Sequence, residues 1–239
     1  MATAQSEKMD RRKRSPVDQF RTWAWYEACV RATSANTPTM LERMFKHTGE
    51  GRKRLWERYR KIGMPLPSVE RNGRPGIVAI VGERFAKTRI VFEHPLWIAL
   101  DPRRMPDVQE VNELLSRMDE WVVSTFLVNV GVGETPKRDW FYLEDVAGWD
   151  YPWMEIDLEM DLLAAHLLIF REATVHGQIE VADSAARKVR VLLHESQDSY
   201  ELCKFAEKLT KFVIDNFLGP KYAELDLCIP HKRAAYEGE

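Results

Sequence analysis

Apolar residues recur every three or four positions along most of this chain, the spacing of one face of an α-helix. The first such stripe comprises Phe20, Trp23, Cys29 and Val30, with Tyr26 between, and runs to about Ala32. A start signal precedes it. Ser15 can cap, Pro16 suits the first turn, and Asp18 sits where a capping-box acid belongs. Thr37-Pro38 repeats the signal ahead of a short second stripe, Leu41, Met44 and Phe45. After a turn at His47–Gly51, a third helix is expected over Arg52–Ile62, with Leu55, Tyr59 and Ile62 on its buried face. Gly63 is its stop, with Pro65 and Pro67 beyond. Glu70–Gly76 reads as a loop rich in Gly, Arg and Asn. Ile77, Ile80, Val81 and Phe85 fit a fourth helix, although Ile77–Val81 also has the β-propensity of a short strand.

His94-Pro95-Leu96-Trp97 and Asp101-Pro102 punctuate the chain and mark a domain boundary near residue 100. Beyond it, Val108, Val111, Leu114, Leu115, Met118 and Val122 predict one long amphipathic helix. Thr125–Val132 is β-prone, and Gly131 and Gly133 end that stretch. Residues 134–153 read as irregular and hold six aromatics, Trp140, Phe141, Tyr142, Trp149, Tyr151 and Trp153. Three strong helical patterns follow, roughly 155–176, 179–196 and 199–218. The expected fold class is therefore all-α and mainly helical. Its organisation is a basic arm over 1–16 expected to be disordered, an N-terminal domain over 17–100 and a helical C-terminal domain over 101–239.

Composition adds limits. A chain of 239 residues, 45% hydrophobic and 30% charged, can bury a real core and is globular in character. Cys29, Cys203 and Cys228 are far apart and form no CxxC pair, which argues against a disulfide framework or a cysteine zinc site. No apolar run is long enough to cross a bilayer. Met1–Arg14 is polar and basic with no apolar segment behind it, so it does not read as a secretory signal, and cytoplasmic residence is the default expectation.

The net charge of −2 hides a gradient. Residues 1–89 hold 20 Lys/Arg against 9 Asp/Glu, a net of +11, whereas residues 90–239 hold 15 against 28, a net of −13. Such asymmetry points to a polyanionic partner for the basic part. The cations concentrate in two places. One is the arm, Arg11, Arg12, Lys13 and Arg14. The other is the third helix, where Arg52, Lys53, Arg54, Arg58, Arg60 and Lys61 supply six cations against the single acid Glu57. With Leu55, Tyr59 and Ile62 buried, Arg54, Arg58 and Lys61 line up at i, i+4 and i+7 on another face. Long cationic side chains on a protruding helix reach phosphates, and arginine also reads guanine edges in the major groove. The arm suits the backbone or the minor groove.

The order of these elements resembles the lambda-repressor-like (XRE-type) helix-turn-helix domain over about 18–100. The helix pair would be Thr37–Lys46 and Arg52–Ile62. The run Trp56-Glu57-Arg58-Tyr59-Arg60-Lys61-Ile62-Gly63-Met64-Pro65 is similar to that family's Trp-Glu-x-Gly-x-x-x-Pro ending of the recognition helix. Ile77–Arg84 followed by Phe85 is similar to its fourth helix. The chain departs from the family in the extra Glu70–Gly76 and in a looser turn before Arg52. The resemblance implies duplex DNA binding by a bacterial or phage-type regulator, and dimerisation to read two half-sites.

Other chemistries are weaker. Glu155, Asp157, Glu159 and Asp161 head a helix that later carries His166 and His176, but the paired Glu-x-x-His of a di-metal bundle is missing, and acids favour helix N-termini in any case. Arg171-x4-His176 and Arg187-x6-His194 match the permissive Arg-x4–6-His pattern of the HEPN ribonucleases, whereas His166 reads as a core or semi-buried histidine. Gly131-Val132-Gly133-Glu134 lacks the Gly-Lys-Ser/Thr of a phosphate loop. The aromatics of 140–153 lie among Asp139, Glu144, Asp145 and Asp150, which repel a phosphate backbone. The expectation is a non-catalytic DNA-binding protein without metal or cofactor. Its body, 101–239, pairs with a second copy or a protein partner. A HEPN-like ribonuclease and a non-catalytic assembly subunit are the alternatives.

Overall fold

The local signals at the two first helices act as read. In the computed structural model, which describes residues 15–45, 54–64, 66–127, 143, 159–197 and 202–222, α1 spans Pro16–Thr33 and α2 Pro38–Met44. Ser15 Oγ accepts the Val17 N–H at 3.3 Å, and Thr37 Oγ1 accepts the Met40 N–H at 3.3 Å. Each satisfies an amide that the helix itself leaves unbonded, a contribution of about 1 kcal/mol. Then come α3 (Leu55–Ile62), a ribbon of β1 (Glu70–Arg71) and β2 (Arg74–Pro75), α4 (Ile77–Gly82), α5 (Ala86–Phe92) and α6 (Leu96–Ala99). The C-terminal part comprises α7 (Val108–Leu115), α8 (Glu120–Phe126), α9 (Glu159–Val175), α10 (Ile179–Glu195) and α11 (Ala206–Val213). A 3-10 turn at Cys203–Phe205 leads into α11, and a π-helical turn, Ile214–Leu218, and a 3-10 turn, Pro220–Tyr222, follow it. The fold is mostly helical, as expected.

Several elements differ from the expectation. Glu70–Gly76 is a two-residue hairpin and not an open loop: Glu70 pairs with Pro75 and Arg71 with Arg74. Asn72 (φ 53°) and Gly73 (φ 71°) take the left-handed conformations that an Asn-Gly hairpin turn requires. Ile77–Val81 is helical, because Ile77, Val78 and Val81 bury on one side. The long helix expected over 108–122 is two helices. Asp119 breaks it: its Oδ1 accepts the Trp121 N–H at 2.9 Å, while its own N–H donates to Asp161 Oδ2 at 3.0 Å. Thr125 and Phe126, expected in a β-prone stretch, close α8. Residues 1–14, 128–142 and 144–158, and with them most of the arm and of the aromatic stretch, Glu155 and Asp157, lie outside the described residues, whereas Ser15 and Pro16, expected in the arm, cap and open α1.

The buried side chains form two clusters. The smaller holds Trp25, Tyr26, Cys29, Leu41, Phe45, Leu55, Trp56, Tyr59, Ile77, Val78, Val81 and Phe92, together with Ala35. The larger surrounds α9, whose residues from Leu162 to Ala173 are all buried, and whose hairpin partner is α10. Leu96, Trp97 and Leu100 belong to this larger cluster, and so do Val17, Phe20 and Ala24 from the first half of α1. Helix α1 therefore enters both. Its N-terminal half meets α11 through Phe20, stacked on Phe205 at 5.6 Å and edge-on to Phe212 at 5.5 Å. Its C-terminal half carries Trp25 and Tyr26 into the smaller cluster. Arg21 fastens its middle: Nε donates to the Phe92 carbonyl at 2.5 Å and the guanidinium lies 4.0 Å from the Phe92 ring centroid.

Candidate nucleic-acid interface

The interface candidate is α3, and its position follows from which residues it buries. At about 100° per residue, Leu55, Trp56, Tyr59 and Gly63 fall on one side, and all four are buried. Trp56 is the anchor. It stacks on Trp25 at 5.3 Å and 17°, meets Tyr59 edge-on at 5.8 Å and lies 5.8 Å from Phe45. Ile62, expected inside, is 47% exposed, because the buried side centres on Trp56, Tyr59 and Gly63. The C-terminus is clamped to α1. Gly63 adopts φ 59° and its N–H donates to the Tyr59 carbonyl at 3.1 Å. Gln19 Nε2 donates to the Ile62 carbonyl at 2.8 Å. A Cβ at Gly63 would stand 2.7 Å from Gln19 Cγ and 2.8 Å from the Gln19 carbonyl oxygen, so only glycine fits both the turn and the contact.

The opposite side carries charge to solvent. Arg58, Arg60 and Lys61 are exposed, as expected. The expected row Arg54–Arg58–Lys61 is broken at its first member. The helix begins at Leu55, not Arg52, and Arg54 is its N-terminal flanking residue with φ 71°, outside the helical spiral. Arg54 is exposed beside the helix entrance. Arg52, Lys53, Arg11, Arg12, Lys13 and Arg14 lie outside the described residues.

Glu57 shapes this surface more than its single charge indicates. Its Oε1 accepts from Arg60 Nη2 at 2.9 Å and from Lys61 Nζ at 2.9 Å. Lys61 first, then Arg60, hold the carboxyl below its usual range. Among the described residues, no acid pairs with Arg54 or Arg58. The i, i+3 and i, i+4 spacing of these pairs is visible in the sequence, where Glu57 reads only as one acid against six cations.

Several residues of the alternative sites make contacts within the fold. Arg171 is buried, and its guanidinium donates to the carbonyls of Ala99 (2.7 Å) and Arg104 and lies 3.7 Å from Met105 Sδ. It closes the chain after α6 onto α9. Arg187 pairs with Asp183 at 2.8 Å, and Asp183 also accepts from Lys221 (2.6 Å) and the Tyr222 hydroxyl (2.7 Å). Lys221, then Tyr222, hold the Asp183 carboxyl down at about 2. His194 lines a shallow groove of about 330 Å³ with Arg190, Lys211, Glu207 and Asp215, in which cations and acids balance. Asp161 accepts from His94 Nε2 at 2.8 Å; the Leu96 N–H donates to His94 Nδ1 at 3.1 Å, which fixes the proton on Nε2. His166 is fully buried, as expected, and Nδ1–H donates to the Leu162 carbonyl at 2.8 Å. Burial lowers its pKa to about 4. Among the described residues, no three His, Cys, Asp or Glu side chains converge on a metal position, and no helix is long and apolar enough to cross a membrane.

No protein-family model matches this chain, and neither does any curated protein or solved structure.

Proposed function

We propose that this protein is a non-catalytic, DNA-binding regulator of bacterial or phage type that meets duplex DNA with the outward side of α3. One observation carries the reading. Helix α3 is locked from behind by the Trp25–Trp56 stack and the Gln19–Gly63 clamp, while Arg54, Arg58, Arg60 and Lys61 face solvent. A rigid element with long cations on its free side is what phosphate contact needs, since positioning hydrogen bonds to the backbone come chiefly from Arg and Lys. The charge gradient supports it: the +11 of residues 1–89 favours a polyanion there, and the −13 of the remainder keeps the body off it. In this reading Arg11–Arg14, Arg52 and Lys53 add phosphate contacts, the helix pair α2 and α3 acts as a helix-turn-helix, and residues 101–239 pair with a second copy or a protein partner. The cytoplasm is its place of work.

The test is duplex binding against salt. Each phosphate neutralised contributes about −0.9 to the slope of log affinity against log salt. The wild type should show a steep slope, and an Arg54→Ala/Arg58→Ala/Lys61→Ala variant a slope shallower by about two to three. Equal weak binding by the two proteins would overturn the assignment of α3.

A further inference from the structure

We infer that Glu57 is a built-in restraint on this surface: it competes with phosphates for Arg60 and Lys61 and so limits sequence-independent binding of duplex DNA. The inference rests on the reading of α3 as the DNA-contacting element and names how that element is controlled.

The geometry is particular. Glu57 is half-buried on α3 and one turn before Lys61, so its carboxylate shares the face of Lys61. One oxygen, Oε1, receives both Arg60 and Lys61 at 2.9 Å. The two cations are therefore drawn inward over the helix surface. Their side chains remain 47% and 65% exposed, and that of Glu57 is 27% exposed, so the cluster stands in reach of a docking duplex. A phosphate that approaches Arg58 comes well within a Debye length of the carboxylate, about 10 Å at 0.1 M salt, and is repelled by it. A phosphate that recruits Arg60 or Lys61 must first displace them from Glu57. Exposed pairs of this kind are weak, so the restraint is one that a well-fitted site overcomes and a poorly fitted one does not.

The consequence is a gain of function on removal of the acid. Glu57→Gln keeps the size and the helix preference of the side chain and frees two cations. Binding of a mixed-sequence duplex should tighten by about tenfold at low salt, and the slope of log affinity against log salt should steepen by about one to two. Two controls separate release of the pair from bulk charge. Glu83→Gln makes the same charge change at an exposed position of the same region and should alter affinity by about twofold or less. In an Arg60→Ala/Lys61→Ala background, Glu57→Gln should lose most of its gain. Circular dichroism of each variant confirms equal folding. If Glu57→Gln binds as the wild type does while the Arg54/Arg58/Lys61 variant still binds more weakly, the restraint is refuted and the DNA-binding reading stands. A gain from Glu83→Gln equal to that from Glu57→Gln also refutes it. If the wild type, Glu57→Gln and the Arg54/Arg58/Lys61 variant all bind with the same shallow salt dependence, the reading of α3 falls and takes the restraint with it.

Discussion

The two clusters of this protein solve the same problem with different side chains. Around α9 the interior is mainly aliphatic, with fewer rings in proportion: Leu162, Leu163, Leu167, Leu168, Ile169, Val189, Leu192 and Leu193 come from two helices of 17 residues each. Around α3 it is aromatic: Trp25, Tyr26, Phe45, Trp56, Tyr59 and Phe92. The difference follows from helix length. A long helix offers a buried side chain at every turn and can fill space with medium-sized ones. Helices of six to eight residues, such as α2 to α5, offer two or three each. A ring buries on the order of 150–250 Å², so a few rings hold together short elements that aliphatic residues could not. The aromatic region therefore concentrates its stability in very few positions, and the aliphatic one spreads it.

The strongest way to break that comparison is Trp56→Ala. It removes contacts to Trp25, Tyr59 and Phe45 at once and should cost about 3–5 kcal/mol in denaturant unfolding. It should also abolish the contribution of α3 to duplex binding. A cost below about 1 kcal/mol would mean that stability in the aromatic region is not concentrated in the ring stack.

A second effect, nearly as large, belongs to the aliphatic region. His166 is buried there with its pKa lowered to about 4. In the unfolded chain the same ring titrates near 6.5. Between these values the unfolded state binds the extra proton, so stability is fully present above pH of about 6.5 and falls as pH drops toward 4. The loss should be on the order of 3 kcal/mol. His166→Met should flatten this dependence. An unchanged profile in that variant would assign the acid sensitivity elsewhere.

The smallest effect sharpens the comparison at a single residue. Gly63→Ala places a Cβ against Gln19 in a left-handed conformation and should cost about 1–3 kcal/mol. Duplex affinity should fall with it, because the clamp sets the pose of α3 on α1. A neutral substitution would show that the end of α3 is free to shift.

What the sequence disclosed and what it hid divide along sequence distance. Caps and stops are local chemistry, and Ser15, Thr37 and Gly63 sit where they were expected. The long body helices are equally legible, because their stripes repeat over many turns. Helix α5 was not: of its seven residues only Thr88 and Phe92 are buried, and one of its ties to the rest is Arg21, 71 residues away. The break at Asp119 depends on Asp161, 42 residues on. At the candidate site, exposure of Arg58, Arg60 and Lys61 was legible. The burial of Trp56 in place of Ile62 was not, because Trp56 stacks on Trp25 of another helix.

Helix α1 gives the molecule a fixed gauge. It is unbroken over 18 residues, about 27 Å of rigid rod, with one end set in the larger cluster and the other in the smaller. A linker between the two regions would let each α3 search for its own groove. A shared rod does not. Were two copies joined through their bodies, the distance between their α3 helices would be a machined dimension, and duplex sites whose halves are half a turn out of register would go unread however good each half is.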